Sequence, residues 1–125
     1  MSDPSSPVLE AAVPILPVSD LSASLTYYET VLGFSLGWKW GDPARLASVC
    51  RDRVELNLAV RDPSTPTQIA KVYVQMSGVD RYYAQITQAG ATVAVPLATR
   101  AYGMRDCRIL DPDANELSFG EATAT

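Results

Sequence analysis

Histidine is absent from the 125 residues, and with it the commonest nitrogen ligand for a metal ion. Cysteine is scarce. The two present, Cys50 and Cys107, lie in apolar alternating segments without metal-type spacing, so buried thiols are expected rather than a disulfide or a reactive nucleophile. No apolar run approaches the roughly 18 to 20 residues that span a bilayer, so no membrane partner is expected. The opening MSDPSSPVLEAA lacks the basic start and apolar stretch of a signal peptide, and a cytoplasmic location is the corresponding expectation. Positive charge is also short: 10 Lys and Arg stand against 14 Asp and Glu, for a net charge of −4. That balance argues against nucleic acid as a partner, because phosphate contacts need clustered cations. An acidic chain attracts cations, although −4 taken alone does no more than keep a protein soluble.

What is present is an ordinary globular composition, 47% hydrophobic and 19% charged, in a length that suits one domain. Residues 1–10, with two prolines and three serines, read as a flexible tail. Over 11–18 the apolar AAVPILPV carries Pro14 and Pro17, which remove ladder donors and demand an edge position or a subunit junction. Ser19-Asp20 offers an N-cap, and Leu21, Leu25, Tyr28, Val31 and Leu32 share one helical face, predicting a helix over 21–32 that Gly33 ends. A strand over 34–40 then places Trp38 and Trp40 on one face, and 45–51 with 53–60 form a hairpin around Asp52.

The segment 61–67, RDPSTPT, is linker-like, and beyond it the pattern repeats. A strand over 69–76 alternates Val72, Val74 and Met76 against Lys71, Tyr73 and Gln75. A helix over 77–89 sets Val79, Tyr83 and Ile86 on one face, and Gly90 ends it as Gly33 ended the first. Strands over 91–95, 104–110 and 116–120 complete the second half, the last two joined by the turn Asp111 to Asn115. Each half is strand, helix and three strands, which predicts an α+β fold: two βαβββ modules, about 11–60 and 68–121, forming curved mixed sheets around a cleft in one domain over 11–121.

Three stretches carry a family pattern: VPILPVSDLSASLTYYETVLGF, VYVQMSGVDRYYAQITQAGATV and YGMRDCRILDPDANELSFGE. Together they resemble the glyoxalase/bleomycin resistance/dioxygenase superfamily, the vicinal oxygen chelate fold. The resemblance implies paired modules, a homodimer, and clefts built by curved sheets. Metal-dependent members carry His or Glu at cleft-facing positions of four strands. Here those positions hold Val13, Lys71, Ser118 and, in the first hairpin, Glu55 or Asn57. An ammonium has no lone pair to offer a cation, so no metal cofactor is expected, and metal-dependent lyase or dioxygenase activity is not.

The resemblance is closest to metal-free drug-binding proteins of the bleomycin resistance type, through Trp38 and Trp40, the Tyr102-Gly103 pair, and Pro14 in a first strand that such proteins exchange between subunits. It implies sequestration of an aromatic, cationic antibiotic or metabolite, without chemistry. The candidate ligand contacts are the aromatics Trp38, Trp40, Tyr73 and Tyr102 and the polar groups Glu55, Asn57, Asp106, Arg108 and Ser118, all from alternating strands or the loop before the penultimate one. For Glu55 and Asp106 two readings stand: a counter-charge for a cationic ligand, or an internal salt bridge with Lys71 or Arg108. The alternative function is a metal-free enzyme using Glu55 or Asp106 as acid or base.

Overall fold

The computed structural model describes residues 6–123, so residues 1–5 of the expected tail lie outside the described residues. Ten elements follow in order: β1 (Ile15–Val18), α1 (Leu21–Thr30), β2 (Ser35–Gly41), β3 (Ala44–Arg51) and β4 (Val54–Val60) form the first module. The second module is β5 (Lys71–Gln75), α2 (Val79–Gln88), β6 (Thr92–Thr99), β7 (Met104–Leu110) and β8 (Glu116–Ala122). The two sheets have matching orders, β1-β4-β3-β2 and β5-β8-β7-β6. In each, the first strand runs parallel to the last and the rest are antiparallel. The duplicated pattern of the sequence is therefore a duplicated fold, and the proline-bearing β1 does sit at a sheet edge. No helix among the described residues is long and apolar enough to cross a membrane.

Several boundaries differ from the sequence pattern. β1 begins at Ile15, four residues later than the apolar run, with Pro14 contributing only its carbonyl to Asn57 N–H. α1 stops at Thr30, and α2 begins at Val79 because Gly78 adopts a left-handed conformation (φ 80°) ahead of it. The caps also differ. Asp20 accepts from Ala23 N–H at 3.0 Å, as its position suggests, whereas the first amides of α2 are capped from outside the helix. Glu121 Oε1, on β8, accepts from Gly78 and Val79 N–H at 3.0 Å each.

One face of each sheet is closed by its own helix. α1 packs on β2, β3 and β4, and α2 on β6, β7 and β8. Leu16, Val49, Leu56 and Leu58, Leu25 and Tyr28 of α1, Val74, Ile109, Leu117 and Phe119, and Tyr82 and Ile86 of α2 belong to one continuous buried core. The expected inward residue Tyr83 is only half-buried, and Tyr82 takes its place. The reason lies in the other module: the Tyr82 hydroxyl donates to the Leu32 carbonyl at 2.6 Å, and its ring meets Phe119 edge-on at 5.0 Å.

The turn between β7 and β8 also joins the modules. Asp111, 5% exposed, accepts from the Tyr28 hydroxyl at 2.8 Å, from Asp113 and Asn115 N–H, and from the Asn115 side-chain amide. Asn115, fully buried, also donates to the Pro17 carbonyl and accepts from Ala70 N–H. A turn that reads locally as Asx chemistry is thus a buried clasp on β1, α1 and β5.

Candidate small-molecule site

The helix-free face of the second sheet is concave and polar. Strand alternation places Tyr73, Ser118, Arg108 and Val95 in one row across it, and Gln75, Gly120, Asp106 and Ala98 in the next. The loop 100–103 adds Tyr102 at one end, with Gly103 at φ 89° making the turn and Thr123 holding the Gly103 carbonyl through both its N–H and hydroxyl. The hollow that results encloses about 470 Å³. Five of the nine candidate contacts meet in it: Tyr73, Tyr102, Asp106, Arg108 and Ser118.

Asp106 is the hub. Its carboxylate accepts from Tyr73 hydroxyl (2.8 Å), Tyr102 hydroxyl (2.5 Å) and Arg100 Nε (2.9 Å). Arg100 is itself fixed by the carbonyls of Pro96 and Asp106. Burial alone would raise the Asp106 carboxyl, but the donors from Tyr102, Arg100 and Tyr73 outweigh it and hold it below its ordinary value. Burial, and then the bond to Asp106, pushes the Tyr73 phenol up to about 12; the same bond is the main reason Tyr102 is raised. Both rings are therefore neutral donors, locked in place yet still 45% and 62% exposed.

The internal ion pair thus exists, but with different partners from those the sequence suggested. Asp106 pairs with Arg100, while Lys71 lies 3.7 Å from Glu116. Arg108 makes no ion pair among the described residues. Arg100 carries no pattern signal that marks it, since it stands in a loop. Gly120 was likewise invisible: Tyr73 leans across it to reach Asp106, and a Cβ there would overlap the phenol oxygen. Gly120→Ala is expected to break the Tyr73–Asp106 bond, costing about 1 kcal/mol in urea denaturation. It should also return the Tyr73 phenol from about 12 toward 10.0 in a spectroscopic titration.

The other four candidates lie elsewhere. Glu55 accepts from the Ser48 hydroxyl at 2.6 Å and lines an adjoining groove of about 490 Å³, which shares Tyr73 and Gln75 with the hollow. Asn57, Trp38 and Trp40 stand on the open face of the first sheet. Asn57 and Trp38 both flank Ser48, and Trp40 lies opposite Leu46. Asn57 Oδ1 is buried without a hydrogen-bond partner among the described residues. Trp38 and Trp40 are 42% and 69% exposed and line neither hollow. The donor set does not fit a divalent ion: Val13 precedes β1, Lys71 is an ammonium, and Ser118 is a hydroxyl. Among the described residues no three His, Cys, Asp or Glu converge. Cys107 is buried and Cys50 half-buried, and both are free.

Solved structures share this architecture. TioX from Micromonospora sp. ML1 superposes with a TM-score of 0.75 at 19% identity, covering 93% of this chain and 98% of its own. TnmS3, an antibiotic binding protein from Streptomyces sp. CB03234, gives 0.76 at 22%, covering 93% and 99%. A bleomycin-binding protein complexed with bleomycin gives 0.76 at 17%, covering 90% and 98%. No curated protein matches the chain in sequence. Residues 9–119 match the family described as Glyoxalase/Bleomycin resistance protein/Dioxygenase superfamily. With the duplicated module, the two open sheets and this match together, the chain belongs to the glyoxalase/bleomycin resistance/dioxygenase superfamily.

Proposed function

We propose that the protein binds an aromatic small molecule of antibiotic type on the open face of its second sheet, without transforming it. The observation that carries this is the pair of exposed phenol rings, Tyr73 and Tyr102, held by one buried carboxylate. Rings fixed before a ligand arrives lose little entropy when it stacks, and each such contact adds about 0.5–1.5 kcal/mol beyond burial. The likeness to proteins that bind bleomycin and another antibiotic supports the same reading. For a cationic ligand the available carboxylate is Glu55, since the charge of Asp106 is already met by Arg100. Acid or base chemistry at Asp106 draws no support from its surroundings, because three donors hold it ionised and make it a weak base.

The working unit in this reading is a homodimer. All seven residues of β2 are exposed, and Ile15, Trp38 and Trp40 present exposed apolar surface on the open face of the first sheet, as a surface awaiting a second copy would. Calorimetric titration with bleomycin and other aromatic antibiotics tests the proposal. Saturable binding near micromolar affinity, roughly −8 kcal/mol, is expected for at least one. No saturable heat with any of them would overturn it.

A further inference from the structure

A different cavity, of about 880 Å³, opens between the two modules beside α2. Its apolar floor is Phe34, Tyr82 and Phe119, with Met76 beside them. Its charge is set by Arg51, Arg53 and Arg81 against a single carboxylate, Asp52. In a chain whose net charge is −4, three guanidiniums around one apolar hollow are a local inversion of sign.

Arg51 is built into place. Its guanidinium lies over the Tyr82 ring, 5.0 Å from the centroid, and Nη1 donates to the carbonyls of Leu32 and Gly33 at 3.4 Å each. Gly33, at φ 75°, leaves the space; a Cβ there would collide with Nη1. The nearest carboxylate, Asp52, is 4.0 Å away and almost wholly exposed. Of the five N–H donors of this guanidinium, those on Nη2 have no partner among the described residues. Arg53 and Arg81 are exposed and make no ion pair among the described residues. The Gly78 and Val79 amides at the start of α2 are already taken by Glu121, so the site rests on the guanidiniums.

We propose that this inter-module cavity is a second binding site, and that it takes an aryl carboxylate. The ring would lie on the aromatic floor, and the carboxylate would meet the free edge of Arg51 together with Arg53 and Arg81. Planar two-oxygen anions match the fork of a guanidinium. The site shares only Gln75 of its lining with the phenol-lined hollow, and Tyr102 lines that hollow alone, so it stands or falls independently of that reading.

Calorimetry on the full chain with 2-naphthoate, and with the neutral 2-naphthamide as control, tests the proposal. Naphthoate should bind once per chain and naphthamide at least about tenfold more weakly, the size of one lost charge-assisted pair. The double variant Arg53→Gln/Arg81→Gln, which changes only exposed side chains, should weaken naphthoate by about tenfold or more. Tyr102→Ala should leave it unchanged. Absence of saturable heat at millimolar naphthoate, equal binding of the amide, or loss of binding in Tyr102→Ala would each overturn the proposal.

Discussion

Asp111→Ala should lower the folding free energy by about 3–5 kcal/mol, as much as truncating a large core side chain. The carboxylate is buried and accepts four hydrogen bonds, from Tyr28, Asp113 N–H, Asn115 N–H and the Asn115 amide. Alanine would leave these donors facing a hollow without an acceptor, and each buried donor left unmade costs about 1–3 kcal/mol. Some relief comes from Asn115, whose amide also donates to the Pro17 carbonyl. The damage would not stay local, since Tyr28 belongs to α1 and Pro17 to β1. Urea unfolding with an unchanged slope and a large fall in midpoint is the expected result. A loss under about 0.5 kcal/mol, the level of an ordinary surface change, would mean that the clasp does not join the modules.

Asp106→Asn should cost about 1.5–3 kcal/mol near neutral pH, because the hydrogen bonds lost are made to a charged acceptor. An amide presents one oxygen where Tyr73, Tyr102 and Arg100 all donate, and its NH2 opposes at least one of them. The pH dependence follows from the direction of the shift. The folded carboxyl titrates below its ordinary value of 3.8, so the folded state gains from ionisation. That gain is complete above 3.8 and is lost as pH falls through the lower folded value. The stability gap between the native protein and Asp106→Asn should accordingly be constant from neutral pH down to about 4 and shrink below it. A gap that widens on acidification would contradict the network.

Much of the architecture is legible in the sequence because it is written in short-range periodicity. Alternation in Lys71 to Gln75 fixes which side chains share the open face, and Asp20 and Gly33 bracket the first helix by local geometry alone. What escapes is chemistry between residues far apart in sequence. Tyr82 and Tyr83 both fall near the inward side of α2, and only the Leu32 carbonyl of the other module selects Tyr82. Asp111 has full local reason to be a turn former, so nothing in its neighbourhood announces Tyr28. Arg100 is indistinguishable from a solvated loop cation until Asp106 is seen beside it. Trp38 and Trp40 are placed on one face by their spacing, but spacing does not say what that face meets. In the described chain it meets nothing, and the rings stand on a sheet of their own, away from Tyr102.

The central claim is that the open face of the second sheet, organised by Asp106, receives the ligand. Backbone amide chemical-shift mapping during titration with whichever antibiotic binds in calorimetry tests it most directly. The account predicts perturbations concentrated at Tyr73 and Gln75, at Tyr102 to Arg108, and at Ser118. Perturbations absent from those residues and gathered instead around Arg51, Arg53 and Arg81 would contradict it.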